Sequence, residues 1–310
     1  MKAVAVVGPT ATGKSALALT LAEAFGGEIV ACDSTAVYRG IDIGTDKLAP
    51  EQQRGIPHHL VDVADVRETY TAARYATEAA AAMRAIHARA KLPIVVGGTG
   101  LYYRALVRGM FPGPARDEVL RGRLERVADR RGPAALHRWL ERVDPESARR
   151  ILSGDRKRMI RALEVYLLTG RPLTDHFAET RSPIAGVRML TMGVALPRDV
   201  LRQRVARRVD AQFDRGVVSE VQRLLDAGLP TTSHALSGLV YRQVLEMFQG
   251  VRDEAETREL IVRENVRYAK RQLTWFRKEP SVRWLEGAGD THLVQQHAVA
   301  MVRKFLEPHA

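Results

Sequence analysis

The strongest chemical signal is a glycine-rich segment that fits the pattern G-x-x-x-x-G-K-[ST], namely Gly8-Pro9-Thr10-Ala11-Thr12-Gly13-Lys14-Ser15. An apolar run precedes it and a helical pattern follows it, which is the context in which such a loop binds phosphate. Its backbone N–H groups and the helix N-terminus would hold a diphosphate, Lys14 would neutralise charge, and the Ser15 hydroxyl would reach Mg²⁺. The segment does not specify the ligand, because ATP, GTP or another pyrophosphate would all fit.

Two further segments place polar side chains directly after apolar runs. Asp33-Ser34 follows one run, where a carboxylate can serve as a general base or metal ligand, or else as a helix N-cap. Thr99 lies in Gly97-Gly98-Thr99-Gly100, which either admits a ligand close to the backbone or forms a plain tight turn. The run at 92–96 leads into glycine and not aspartate, so no Walker B pattern accompanies the loop. This disfavours an ordinary P-loop ATPase.

The elements that position these residues follow from the apolar patterns. Residues 3–7, 28–33 and 92–96 are typical of buried strands, and helical patterns at Lys14–Phe25 and Thr71–Ala90 lie between them. Strands that alternate with helices predict a parallel sheet whose ligands bind at the carboxyl ends of the strands. We therefore expect an α/β fold with a P-loop NTPase-like core, its parallel sheet flanked by helices.

The chain changes character after Pro112-Gly113-Pro114. Residues 115–181 show charged helical patterns broken by Gly and Pro, and no strand pattern. We therefore expect an all-helical insertion domain at 114–183, within a catalytic core made of residues 1–113 and 184–310. A strand is expected at Val187–Leu196, and long basic amphipathic helices at about 198–228 and 254–278.

Composition and charge limit the function classes. Of 310 residues, 45% are hydrophobic and 27% charged, and no apolar run is long enough to cross a bilayer. The single cysteine, Cys32, excludes a disulfide scaffold and a multi-cysteine zinc site. The net charge of +12 divides into +2 over residues 1–113, +5 over 114–183 and +5 over 184–310. This favours a polyanionic partner, unless an arginine-rich genome explains it. We expect a cytoplasmic protein without a signal peptide or membrane association.

Six segments occur together in a fixed order: GPTATGKS (8–15), DSTAVYRGIDIGT (33–45), PHHLVD (57–62), GGTGLYYRAL (97–106), RKRMIRALEV (156–165) and KRQLTWFRK (270–278). Over essentially the whole chain they resemble the bacterial tRNA dimethylallyltransferases, also called tRNA isopentenyltransferases. The resemblance implies that N6 of adenosine-37, 3′-adjacent to the anticodon, attacks C1 of dimethylallyl diphosphate and displaces pyrophosphate. The P-loop would then hold a prenyl diphosphate instead of ATP, which accounts for the missing Walker B pattern.

The resemblance also implies a role for each matching residue at the reacting centre. The loop from Gly8 to Ser15 would bind the diphosphate, with Mg²⁺ near Ser15. Asp33 would act as the general base on N6, and Thr99 would contact both the reacting centre and the tRNA. Arg208, with Lys14, would stabilise the leaving pyrophosphate, and Arg204 on the same basic helix is the competing candidate.

Contacts with the tRNA anticodon stem-loop are implied in the same way. The segment Asp33-Ser34-Thr35-Ala36 would read the adenine after it has flipped out of its stack. Thr99 and a set of cationic, polar and aromatic residues would supply the rest: Arg121, Lys157, Arg158, Arg161, Tyr241, Arg242, Lys270, Arg271, Gln272, Trp275 and Arg277. For Trp275 and Phe276 a place in the core is the favoured alternative, with the neighbouring cations facing solvent.

Some segments depart from the family pattern. Ala36 stands where many members have glutamine, so backbone groups would read the adenine. The block Val240-Tyr241-Arg242-Gln243 has its glycine two residues early, at Gly238, which leaves the local turn open. DIGTDKL (42–48) stands for DIGTAKP, a change expected to be peripheral. The pair His58-His59 could suggest a metal, but neighbours in a strand face opposite ways, so structural use is expected.

Three other functions stay open from the sequence. Free adenine nucleotides could be the prenyl acceptor, although a mononucleotide needs no helical insertion. A small-molecule P-loop kinase is disfavoured by the Gly-Gly-Thr segment, and a non-enzymatic RNA-binding module would not need Asp33. No coiled-coil pattern or self-complementary apolar stretch is present, so we expect a monomer.

Overall fold

A parallel sheet carries the phosphate-binding loop. The structure is a computed structural model that describes residues 1–111 and 113–308. Within those residues the sheet has six strands: β1 (Lys2–Val7), β2 (Gly27–Cys32), β3 (His58–His59), β4 (Leu92–Gly97), β5 (Arg188–Ala195) and β6 (Val282–Glu286). They pair in the order β3-β2-β4-β1-β5-β6, and each pairing is parallel. The predicted α/β fold with a parallel sheet is confirmed.

Helices make up most of the remaining structure. The described residues contain α1 (Lys14–Phe25), α2 (Ala72–Ala88), α3 (Gly100–Arg108), α4 (Glu118–Arg131), α5 (Pro133–Val143), α6 (Pro145–Arg150), α7 (Arg156–Thr169), α8 (Leu173–Glu179), α9 (Arg198–Asp214), α10 (Val217–Asp226), α11 (Leu239–Phe248), α12 (Glu254–Phe276) and α13 (His292–Leu306). Short 3₁₀ turns occupy Pro50–Gln53 and Ala235–Ser237. None of these helices is both long and apolar enough to span a membrane.

The register of the three central strands brings three loops to one edge of the sheet. Gly97, the last residue of β4, is paired with Cys32 of β2 on one side and with Val7 of β1 on the other. The residues that follow these strands, beginning with Gly8, Asp33 and Gly98, therefore leave the sheet side by side. Ligands bind at this edge in parallel α/β sheets.

The expectation of one helix over residues 198–228 is wrong. Gly216 adopts a left-handed conformation with φ of +89°, and it separates α9 from α10. The basic pattern continues across the break, so periodicity alone does not reveal it. Strand β6 was not predicted because it has only five residues and lies at the edge of the sheet.

The chain forms two compact units, one of residues Met1–Leu106 with the residues from Ile184 onward, the other of Val107–Pro183. The second unit begins seven residues before the predicted start at 114, because the intervening segment packs within it. Phe111 stacks on His176 with ring centroids 4.0 Å apart, and a Cβ on Gly109 would lie 2.2 Å from the carbonyl oxygen of Arg181. Pro112, in the predicted entrance segment, lies outside the described residues.

Each unit has its own apolar core. In the first, side chains of β1, β4 and β5 pack with α1 and α13, and Val6, Leu17 and Val302 are fully buried there. In the second, α4, α5 and α7 contribute a separate cluster that includes Leu136 and Leu163. The helical unit therefore buries its own apolar surface. Its described elements, α4 to α8, are all helices, as predicted for this segment.

Candidate active site

The phosphate-binding loop ends at the N-terminus of α1, which has no side-chain cap. Gly13 occupies the cap position with φ of +87°, and a Cβ there would lie 2.7 Å from the backbone nitrogen of Asp290. Only glycine fits this conformation and this close approach. The first turn of α1 also lacks acidic residues, so its N–H groups and its dipole can serve an anion.

Lys14 lies against the loop that precedes it. Its Nζ donates a hydrogen bond to the carbonyl oxygen of Pro9 at 2.5 Å. Burial, with a smaller effect of the nearby Arg208 guanidinium, lowers the pKa of Lys14 to about 8, although the Asp33 carboxylate opposes the shift. The ammonium group is therefore mostly charged at neutral pH, beside the place where a phosphate would bind.

Arg208 reaches the same loop from α9. Its Nη1 donates to the Thr10 hydroxyl at 2.8 Å, and its Nε lies 3.2 Å from Oδ2 of Asp46. Arg204, one turn earlier, pairs instead with Asp290. Of the two competing arginines, Arg208 is the one that contacts the phosphate-binding loop. The change to Asp at position 46, expected to be peripheral, instead places a carboxylate on this arginine, so that expectation is wrong.

Asp33 follows β2 and closes a turn with one of its two carboxylate oxygens. Oδ1 accepts hydrogen bonds from the backbone nitrogen and the hydroxyl of Thr35, at 2.8 and 2.6 Å, and from the nitrogen of Ala36 at 3.2 Å. Among the described residues no hydrogen bond reaches Oδ2. No helix begins at Asp33, so the alternative of a helix N-cap is wrong. Oδ1 closes a turn instead, which leaves Oδ2 for a chemical role.

Thr99 connects the loops that follow β2 and β4. Its hydroxyl accepts a hydrogen bond from the backbone nitrogen of Ser34 at 3.1 Å and lies 3.4 Å from the Ser34 hydroxyl. Its own backbone nitrogen donates to the carbonyl oxygen of Cys32 at 3.2 Å. These bonds fix the position of Thr99 beside the segment that carries Asp33.

Lys14, Asp33 and Arg208 line one cavity of about 500 Å³ in the first unit, as does Ser34, to which Thr99 is bonded. Its wall contains four cations and two carboxylates: Lys14, Lys47, Arg208, Arg271, Asp33 and Asp46. Its wall also has an apolar part, formed by Ile29, Leu48 and Val96 among others. The cavity thus combines an anion-binding loop, a carboxylate and apolar surface, as a ligand with a charged head and a hydrocarbon chain requires.

A model of the family described as IPP transferase matches residues 36–279 of the chain. The chain belongs to the IPP transferase family. It is 46% identical over 285 residues to a protein named tRNA dimethylallyltransferase from Geobacter sulfurreducens, a match that covers 92% of each chain. A protein of the same name from Solibacter usitatus is 46% identical over 309 residues, 99% of each chain. The resemblance carried by the six segments is confirmed, and with it the prediction of a transferase enzyme.

Solved structures of the family have the same fold. The full-length tRNA isopentenylpyrophosphate transferase of Bacillus halodurans matches with a TM-score of 0.71 and 35% identity, over 98% of this chain and 95% of that chain. A eukaryotic dimethylallyltransferase described as acting on tRNA matches with a TM-score of 0.82 and 27% identity, over 98% of this chain and 79% of that chain. The P-loop NTPase-like core predicted from the sequence agrees with both.

The cavity of this IPP transferase contains a tyrosine that sequence reasoning missed. Tyr268 of α12 lines it, and the guanidinium carbon of Arg271 lies 5.6 Å from the Tyr268 ring centroid. Burial, together with the charge of Asp33, raises the pKa of Tyr268 to about 12, so the phenol stays protonated as a donor. Its position four residues before Gln272 places both on one face of α12, a signal available in the sequence.

Gln272, expected to contact tRNA, is buried and used inside the protein. Its Oε1 accepts from the backbone nitrogen of Thr10 at 3.0 Å, and its Nε2 donates to the carbonyl oxygen of Gly98 at 2.9 Å. The side chain thereby ties the phosphate-binding loop to the loop after β4. Both ends of its amide are occupied, so the prediction of an RNA contact at this residue is not supported by its geometry.

Tyr241 is also buried and serves the protein interior. Its hydroxyl donates to Oε1 of Glu220 at 2.7 Å, and its ring packs so closely on Gly44 that a Cβ there would lie 2.6 Å from Cζ. The turn left open at Gly238 places that glycine at the N-terminus of α11, with extended backbone. Tyr241 therefore positions the segment around Gly44, and its predicted RNA contact lacks an exposed surface.

Trp275 and Phe276 pack in the protein interior, the alternative favoured for them from the sequence. Phe276 is fully buried, with its ring centroid 5.7 Å from that of Tyr103. Trp275 is half-buried, and its indole packs directly on Gly100. A Cβ added to Gly100 would lie only 2.3 Å from Cδ2 of the indole. The guanidinium of Arg104 covers its ring at 4.5 Å. Both aromatics pack inside the first unit.

The cations predicted to grip RNA divide into two groups. Arg121 and Arg161 of the helical unit both bind the fully buried carboxylate of Glu164, at 2.8 Å from Oε1 and 2.7 Å from Oε2. The other predicted cations have exposed side chains: Lys157, Arg158, Arg242, Lys270, Arg271 and Arg277. The first pair is committed to the fold, whereas the second group presents charge to solvent.

The expected structural use of the histidine pair agrees with the structure. Nε2 of His59 lies 2.7 Å from Oε2 of Glu28, and Nδ1 of His58 lies 2.8 Å from the carbonyl oxygen of Ile56. No group of three or more His, Cys, Asp or Glu side chains in the described residues could hold a metal ion. Ser15, the residue expected to lie near Mg²⁺, is exposed in the first turn of α1.

Proposed function

We propose that this IPP transferase moves the dimethylallyl group of dimethylallyl diphosphate to N6 of adenosine-37 in tRNA and releases pyrophosphate. The observation that carries the proposal is the meeting of an uncapped P-loop helix and the Asp33 carboxylate in one cavity, with Thr99 bonded to Ser34 of the cavity wall. The names of the relatives support the same reaction. Strand β4 ends at Gly97, where a Walker B strand would end in aspartate. This supports a prenyl diphosphate as the ligand of the loop, in place of ATP.

The donor would bind with its diphosphate on the N-terminus of α1, beside Lys14 and Arg208. As the C1–O bond breaks, its electron pair leaves with the pyrophosphate. The two cations stabilise the negative charge that grows there. The apolar part of the wall, which includes Ile29 and Val96, suits the five-carbon chain. A Mg²⁺ bound to the diphosphate would neutralise further charge, with the Ser15 hydroxyl as its protein ligand.

The acceptor would enter as a single adenine flipped out of its stack. The lone pair of N6 attacks C1 as the bond to the diphosphate breaks, and the amine becomes cationic. Oδ2 of Asp33 then accepts a proton from N6, while Oδ1 keeps the turn closed through Thr35 and Ala36. Thr99, held on Ser34, would orient the nucleotide beside this carboxylate.

The partner would be the tRNA anticodon stem-loop. The exposed cations, among them Lys157 and Arg158 on the helical unit and Lys270 and Arg277 on α12, would contact its phosphates. The enzyme would act as a monomer in the cytoplasm, where tRNA is modified.

Incubation with Mg²⁺ and labelled dimethylallyl diphosphate tests the proposal, with unmodified tRNA in one tube and AMP in another. We expect label in tRNA alone, at adenosine-37. Label in AMP alone would move the assignment to a nucleotide prenyltransferase. No label in either would overturn the proposal, and ATP turnover would then test the kinase alternative.

Asp33→Asn tests the role of the base. Asparagine retains an oxygen for the turn but cannot accept the proton, so we expect transfer to fall by about 10²–10⁴-fold with tRNA affinity within a few-fold. The matched control is Asp65→Asn, because Oδ1 of Asp65 accepts from the backbone nitrogen of Arg67 at 2.9 Å in a similar turn that is exposed and lies outside the cavity wall. A large loss of tRNA affinity in Asp33→Asn would contradict the base role.

A further inference from the structure

Asp46 links two arginines beside the phosphate-binding loop. Its Oδ2 lies 3.2 Å from Nε of Arg208, and its Oδ1 lies 3.1 Å from Nη1 of Arg215. Arg208 lies in α9 and Arg215 is the C-cap residue of that helix, about two helical turns later, so their side chains reach Asp46 from the same side. The Asp46 side chain is 33% exposed and lines the cavity that also contains Lys14.

Hydrogen bonds with two other side chains fix the segment that carries Asp46. The carboxylate of Glu220 accepts hydrogen bonds from the backbone nitrogens of three successive residues, Asp42, Ile43 and Gly44, at 2.9, 2.9 and 3.2 Å. The side chain of Gln212 donates to the carbonyl oxygen of Gly44 at 3.2 Å. Because its neighbours are fixed in this way, Asp46 is held at Arg208 by more than its own ion pair.

Asp46 and a bound diphosphate would compete for the same guanidinium. Arg208 has Nη1 on the Thr10 hydroxyl of the loop and Nε on Asp46, so its charge is shared between the loop and the carboxylate. A negative charge this close to an anion site opposes the second anion. We propose that Asp46 lowers the affinity of the P-loop site for pyrophosphate by neutralising Arg208, and thereby promotes release of the product.

This inference rests on the proposed function but is tested without tRNA or prenyl donor. Binding of inorganic pyrophosphate, in the presence of Mg²⁺, is measured by calorimetry for the full chain and for Asp46→Asn. Asparagine retains an oxygen that can accept from Arg208 but removes the charge. We expect pyrophosphate to bind about tenfold more tightly, the lower end of the effect of one close charge, since Asp46 is partly exposed.

Asp65→Asn is the matched control for the change in net charge. The Asp65 carboxylate is 43% exposed and lies 3.8 Å from Arg67, and neither residue lines the cavity. We expect less than a twofold change there. The difference between the two variants should shrink as salt is raised, because a charge effect is screened and a packing effect is not.

The sign of the change separates the proposal from a structural role. A variant that merely disturbs the loop would bind pyrophosphate more weakly, so equal or weaker binding in Asp46→Asn would overturn the inference. Failure of the unaltered chain to bind pyrophosphate would overturn both this inference and the proposed donor site. Tighter binding in Asp46→Asn without any prenyl transfer by the unaltered chain would sustain the inference and defeat only the proposed function.

Discussion

The ion pairs around Glu164 yield the sharpest test of how the helical unit uses its arginines. The carboxylate has no exposed surface and accepts hydrogen bonds from Arg121, from Arg161 and from the backbone nitrogen of Asp117. Burial alone would raise the pKa of Glu164, but the bonds from the two arginines outweigh it and lower the pKa to about 2. The acid is therefore charged at neutral pH and depends on its partners.

Replacing Arg121 with alanine removes two of these bonds, which Nε and Nη2 make at 2.8 and 2.9 Å. Loss of one partner of a buried pair costs about 3–5 kcal/mol, and we expect the lower end because Arg161 remains. With a urea dependence of about 1–3 kcal/mol per molar, a loss of about 3 kcal/mol should lower the unfolding midpoint of this unit by roughly 1–3 M. Lys157→Ala removes an exposed side chain and should cost less than about 0.5 kcal/mol.

Hydrogen exchange of the full chain is the suitable assay, because it follows the helical unit separately from the other unit. Amides of α4 and α7 should lose protection in Arg121→Ala and keep it in Lys157→Ala. Adding Glu164→Gln to Arg121→Ala should restore part of the protection, since no buried charge is then left unpaired. Unchanged protection in Arg121→Ala, together with weaker tRNA binding, would refute the reasoning and return Arg121 to the role of an RNA contact.

Four further predictions concern Lys14, Gly44, Gln272 and Glu164. Pyrophosphate binding should weaken as pH rises through about 8, where Lys14 loses its charge, and calorimetry across that range would detect it. Gly44→Ala forces a Cβ to 2.6 Å from Tyr241, so unfolding by urea should show a loss of about 1–3 kcal/mol. Gln272→Leu leaves two backbone groups of the loops unpaired and should weaken pyrophosphate binding, measured by calorimetry. The pKa of Glu164 is lowered on folding, so its stabilisation should be complete above about pH 4.3 and lost towards pH 2, measured by hydrogen exchange.

The sheet and the phosphate-binding loop could be predicted because local chemistry dictates them. A fully buried parallel strand needs an apolar run, and the loop needs glycine wherever the backbone turns left-handed or meets another chain segment, as Gly13 does at Asp290. The break at Gly216 could not be predicted in the same way. Many helices tolerate a glycine within a basic helical pattern. Only the packing of α9 and α10 decides that α9 ends before Gly216.

The tRNA-contacting residues were predicted less well for a reason of charge. Sequence patterns treat an arginine at helical spacing as a surface cation, yet Arg121 and Arg161 point to a carboxylate inside the unit. The signal was present, because Glu164 interrupts the apolar stretch Ala162-Leu163-Glu164-Val165 and an arginine lies three residues before it. An acid in a core stripe must be paired, so it requires a cation from the same set that otherwise suggests RNA.

Only part of the net charge of +12 is therefore available to bind RNA. Cations bound to buried carboxylates, such as Arg104 on Glu279 and Arg121 on Glu164, cannot move to a phosphate without leaving a charge unpaired. Exposed cations can instead pair with phosphates and displace the counterions condensed on the RNA. The salt dependence of tRNA binding should therefore fall by about one unit of slope for each substitution at Lys157 or Lys270, and change little on replacing Arg104.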